Sequence, residues 1–185
     1  IQRNPKLATI RLPNLRSVGW LVITGGKSSA LELPALTQVD SLTIGNMQLE
    51  ALALPVLERI GAGPPSLIEH NVVLTSLQLP RLRTIEASGT LMIERNASLT
   101  TVGMPALTTL DGGLALMNNP TLRTVELDVL AHVAESTLFC IRGSPALTRV
   151  HAPLLGAAKE RLNVDFVMSP VGDGPKRVAP RAGLS

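Results

Sequence analysis

Apolar residues return along this chain in two short alternating patterns. The first is typified by Ile10-Arg11-Leu12, Leu31-Glu32-Leu33, Leu52-Ala53-Leu54, Leu77-Gln78-Leu79 and Val125-Glu126-Leu127. The second runs Leu21-Val22-Ile23, Leu42-Thr43-Ile44, Ser66-Leu67-Ile68, Leu91-Met92-Ile93, Leu114-Ala115-Leu116, Phe139-Cys140-Ile141 and Val164-Asp165-Phe166. Alternation with period 2 predicts strands that bury one face. Between them lies a further apolar pair, such as Leu15/Val18, Leu36/Val39, Leu82/Ile85 and Leu107/Leu110. Strand, pair and strand recur together every 21–25 residues, counted from Asn4, Gly25, Asn46, Asn71, Asn96, Asn119, Ser144 and an incomplete Ser169. A fixed period of this size predicts a solenoid in which each coil buries its apolar side chains only against its neighbours.

The expected fold is therefore all-β: a right-handed solenoid of about seven coils with short parallel strands over residues 1–168. Residues 169–185 are expected to form a Pro/Gly-rich basic tail, extended or disordered, after Phe166 and Met168 close the last coil. Pro13, Pro34, Pro55, Pro80, Pro105 and Pro153 recur at one place in the repeat. Proline has no N–H for a sheet ladder, so these mark a corner where the chain leaves the first strand. Asp128 replaces proline in one coil, and a looser corner with a helical turn over residues 128–135 is expected there. The Asn positions suit a second corner, where stacked amides can bond from coil to coil.

Composition adds that this core is aliphatic. Apolar residues make up 45 % of the chain, aromatics 2 %, and tyrosine is absent. The net charge of +3 combines a basic start, an acidic stretch over residues 31–75 and a basic tail, without an aromatic-basic cluster, which argues against a nucleic-acid reader. Cys140 is the single cysteine, so no intramolecular disulfide can form. No apolar run reaches the length of a membrane span.

Little chemistry stands out. His70, His132 and His151 fall in different columns of the repeat and suggest no metal cluster. Asp40, Glu86 and Asp111 share a column, read as solvated acids at a turn. Gly25-Gly26-Lys27-Ser28 is read as a corner loop because it lacks the spacing and following helix of a phosphate loop. Asn96-Ala97-Ser98 is a glycosylation sequon that coincides with the Asn column. No catalytic residue, metal ligand or cofactor is assigned. The unexpected feature is the outward column of the second strand: Val22, Thr43, Leu67, Met92, Ala115 and Cys140, with Asp165 beyond. It is mostly apolar where a solvent-facing position should be polar, and contiguous apolar surface marks a partner site.

The repeat resembles the receptor L-domain, the leucine-rich right-handed β-helix of insulin- and growth-factor-type receptors and of many bacterial surface proteins. Gly89-Thr90-Leu91-Met92-Ile93-Glu94-Arg95-Asn96-Ala97-Ser98-Leu99 and Leu110-Asp111-Gly112-Gly113-Leu114-Ala115-Leu116 carry the likeness. Ordinary leucine-rich repeats share the Leu-x-Ile-x-x-Asn-x-x-Leu stretch and compete with it. The resemblance implies a secreted or surface-displayed bacterial protein, although no signal segment is visible. No hormone-binding residue of that family has a counterpart here, and where the family is usually attached to cysteine-rich modules this sequence holds one cysteine. The expected function is a non-catalytic recognition or adhesion module that binds another protein or a glycan through a solenoid face. The alternative is a structural subunit that self-associates end to end through an open N-terminal coil.

Overall fold

The computed structural model describes residues 1–134 and 137–157. The strand expected over residues 164–166, the closing role of Phe166 and Met168, and the tail over 169–185 lie outside the described residues. What is described is an all-β solenoid of about six turns, with every strand pair among the described residues parallel and in register. Each turn has three sides.

The first side carries the first strand of the repeat: Thr9–Arg11, Ala30–Glu32, Ala51–Ala53, Ser76–Gln78, Thr101–Gly103, Thr124–Glu126 and Arg149–His151. The second side carries the intervening pair, in Arg59–Ile60, Thr84–Ile85, Thr109–Leu110 and His132–Val133. The third carries the second strand, in Ser66–Glu69, Thr90–Glu94, Gly113–Met117 and Phe139–Arg142. Ser17–Gly26 and Gln38–Gly45 run through the second and third sides as single long strands. The sheet therefore forks after Gln38–Gly45, which pairs with both Arg59–Ile60 and Ser66–Glu69.

The fork explains the variable period. Only Gly19 and Trp20 lie between Val18 and Leu21, whereas Gly61–Pro65 separate the equivalent Ile60 and Ser66. These inserted residues turn a straight strand into a corner. Small residues are needed there: a Cβ on Gly112 would lie 2.1 Å from the Glu86 carbonyl oxygen, where no atom fits.

The proline corners form as expected. Leu36, Leu57, Leu82 and Leu107 each donate a backbone N–H to the carbonyl three residues earlier, closing β-turns with proline at the first central position, where its fixed φ is suited. The Asp128 corner keeps the same closure, Leu130 N–H to Leu127 carbonyl. No helical turn forms there among the described residues, because Leu127 and Leu130 are both buried and hold the chain to the common path.

The Asn corner differs from its expected alignment. The column, buried from Met47 onward, reads Asn4, Gly26, Met47, Asn71, Asn96, Asn119 and Ser144, while Gly25 and Asn46 sit one residue earlier. They belong to a separate left-handed column with Arg3, His70, Arg95, Asn118 and Gly143, all at φ between 54° and 68°. The reason is a shorter turn: Met47 reaches the core residue Leu49 with one residue between, where Asn71 reaches Leu74 with two. In the longer turns the amides form a one-way ladder. Met47 N–H donates to Asn71 Oδ1, Asn71 N–H to Asn96 Oδ1 and Asn96 N–H to Asn119 Oδ1, each at 3.0 Å. Each Nδ2 in turn donates to a strand carbonyl of an earlier coil, Ile44, Ile68 or Ile93. Asn96 is wholly buried, so the sequon is out of reach in the folded chain.

The core is the expected set of aliphatic rows. Leu52, Leu77, Val102 and Val125 line the first side, Ile60, Ile85 and Leu110 the second, and Ile44, Ile68, Ile93 and Leu116 the third. Phe139 points inward with them. One inward position of the third side is polar, Ser66, whose hydroxyl accepts the Leu42 N–H at 3.0 Å.

Candidate recognition face

The third side carries the longest strands of the later coils, four or five residues each. Its outward column is one continuous ladder: Val22 stands beside Thr43, Thr43 beside Leu67, Leu67 beside Met92, Met92 beside Ala115 and Ala115 beside Cys140. Period-2 alternation sends these six side chains out because Leu21 and Ile23, Leu42 and Ile44, and their equivalents go in. The column is less exposed than its sequence suggests. Val22, Thr43, Leu67 and Met92 are half-buried, while Ala115 and Cys140 are buried. Ala115 is the smallest of the six and lies between Met92 and Cys140 on the adjacent strands, about 4.8 Å away on either side.

Residues two positions away on the same strands complete the face. Trp20, the only tryptophan, shares the outward side with Val22 and is 70 % exposed. At the other end Leu138 stands exposed before Cys140. Along the opposite flank run Thr24, Gly45, Glu69, Glu94, Met117 and Arg142. Glu69 and Glu94 are direct ladder neighbours, an arrangement of like charges that opposes stability. Each has a local partner: His70 Nδ1 lies 3.3 Å from Glu69, and Arg95 Nη1 lies 3.3 Å from Glu94. The period that turns Leu67 and Met92 outward also turns the half-buried glutamates and the exposed Trp20 outward. Sequence reasoning treated the column alone and passed over its flanks.

The acidic column forms at the corner before this face. A Cβ on Gly61 would lie 2.7 Å from Asp40 Oδ1 and 3.4 Å from Glu86 Oε2, so the two carboxylates overhang that glycine. Arg59 Nη1 pairs with Glu86 at 2.9 Å, and His132 Nε2 lies 3.4 Å from Asp111. No group of three acids, histidines or cysteines among the described residues could hold a metal ion. His151 pairs with Asp128 at 3.4 Å. The three histidines thus stand apart, each beside a carboxylate. Gly25–Ser28 is a corner whose Ser28 hydroxyl donates to the Leu7 carbonyl, with no helix after it among the described residues. No helix of the described residues is long and apolar enough to cross a membrane.

No family model, curated protein or solved structure matches the chain.

Proposed function

We propose that this protein is a non-catalytic recognition module of the L-domain-like type, displayed outside the cell or on its surface, that engages a macromolecular partner through the third side of the solenoid. The observation that carries this reading is the outward ladder Val22–Thr43–Leu67–Met92–Ala115–Cys140 beside an exposed Trp20. A solvated strand face ordinarily alternates to polar residues. Here the outward column of the first side is mostly polar, with Arg11, Glu32, Gln78, Glu126 and His151 beside Ala53 and Gly103, while the central column of the third side is mostly apolar. The rigid stacked coils fix the spacing of these side chains, so a partner meets a preorganised surface.

The experiment is a capture assay with the intact chain against extracellular proteins and glycans, repeated with Met92→Asp. Loss of capture with thermal unfolding nearly unchanged supports the reading. Capture that survives this substitution places recognition elsewhere, and a large loss of stability makes Met92 a core residue.

A further inference from the structure

The charges bordering the apolar ladder narrow the chemistry of its partner. This step rests on the recognition reading above. The ladder is straight and one side chain wide, and it crosses six strands. With strands about 4.8 Å apart and residues about 3.3 Å apart, the face measures roughly 24 by 16 Å, or about 400 Å². That is about half of what each partner contributes to an ordinary stable protein complex. A second copy docked flat on this face would be held weakly, and the area suits a short segment. Strand addition needs an open sheet edge, whereas here every interior strand has neighbours on both sides. An α-helix laid across the strands fits better, since about 16 residues at about 1.5 Å each span the ladder with one apolar stripe.

The flanks set the sign of that helix. Glu69 and Glu94 lie at the centre of one flank, and Asp40, Glu86 and Asp111 occupy the corner on the other. Arg59 and Arg95 offset Glu86 and Glu94. Among the described residues, the side chains paired with Glu69 and Asp111 are the histidines His70 and His132 rather than lysine or arginine. Arg142 closes the far end of the first flank. The middle of the face is thus acidic on a molecule whose net charge is +3. We propose that the third side docks an amphipathic helix from another protein, with its apolar stripe on Leu67 and Met92 and flanking lysines or arginines reaching Glu69 and the corner acids.

Trp20 makes the test direct, because it is the only tryptophan and lies on the face. The intact chain is titrated with a helical peptide of about 16 residues bearing leucines on one stripe and lysines beside it. The same peptide with glutamates for lysines, and a chitin oligosaccharide, form the other arms. The expected result is a saturable blue shift of Trp20 emission with the lysine peptide alone. Apparent affinity should fall at least about tenfold in Met92→Asp, by removal of a central apolar contact. It should fall about threefold or more in Glu69→Gln/Glu94→Gln, with a weaker salt dependence. Circular dichroism checks that each variant is folded, and Thr43→Arg provides a second block at a position that is already polar. Equal binding of the two peptides overturns the charge assignment while the recognition face stands. A response to the oligosaccharide alone overturns the helical partner and leaves recognition intact. Binding that ignores both Met92→Asp and Thr43→Arg, or no response in any arm, overturns the proposal.

Discussion

The early and central coils solve the same winding problem differently. In the early coils, Ser17–Gly26 and Gln38–Gly45 run as unbroken strands around two sides, and Gly26 and Met47 stand where the ladder asparagines would be. In the central coils the strand is broken by an inserted corner, and Asn71, Asn96 and Asn119 tie the neighbouring turn together. A short turn leaves few backbone groups to satisfy. A longer one buries free N–H and carbonyl groups that must find partners, and the asparagine amide supplies both an acceptor and a donor. The side-chain ladder therefore belongs to the long corners of the central coils and is not a fixed property of the repeat.

Substitutions in the central coils should expose this difference most strongly. Ile93→Ala or Leu107→Ala removes a wholly buried side chain and should lower unfolding free energy by about 2–5 kcal/mol. Leu21→Ala, in a half-buried row of the early coils, should cost less, and chemical denaturation of the three variants compares them. Next comes the ladder. Asn96→Leu leaves the Asn71 N–H and the Ile68 carbonyl without their side-chain partners, which should cost about 2–6 kcal/mol at about 1–3 kcal/mol per stranded group. Met47→Leu at the equivalent early position is a volume-conserving exchange and should cost below about 1.5 kcal/mol. Equal losses for these two would erase the distinction between the coils.

Smaller effects should come with the opposite sign. Ser144 stands at the next rung of the ladder with its hydroxyl buried and unpartnered. Ser144→Asn restores an amide there and should raise stability by about 1 kcal/mol, read as a shift in the urea midpoint at constant slope. Arg95 holds a left-handed conformation at φ 54°, which is costly for a residue with a Cβ. Arg95→Gly should gain about 0.5–1 kcal/mol at most, partly offset by loss of the contact to Glu94.

These contrasts also show what the sequence could carry. Inward rows were legible because period 2 admits one assignment once Ile44, Ile68 and Ile93 are taken inside. The proline corners were legible because Pro55, Pro80 and Pro105 can serve only where no ladder bond is needed. The register of Asn46 was not, since asparagine suits both a left-handed turn and a buried amide ladder. Only the length of the turn to Leu49 separates the two uses. The candidate face was half legible. Membership of Val22 through Cys140 followed from alternation, but the covering of Ala115 depends on side chains from adjacent coils. The forked sheet was invisible, because residues 61–65 look like any loop until their neighbours Asp40 and Glu86 are placed in space.

The amide ladder has a polarity along the axis: every side-chain oxygen receives from the coil before it, and every amide nitrogen gives to an earlier strand, those of Asn71 and Asn96 also giving to the next side-chain oxygen. Such a chain behaves like identical links with a hook at one end and an eye at the other. The unit from Asn96 to Asn118 begins with the hook and ends where Asn119 offers the next. A tandem duplication of residues 96–118 would therefore meet a matching link at each junction, and the protein could be lengthened there without a new kind of contact. The reversed order of the same residues would meet none.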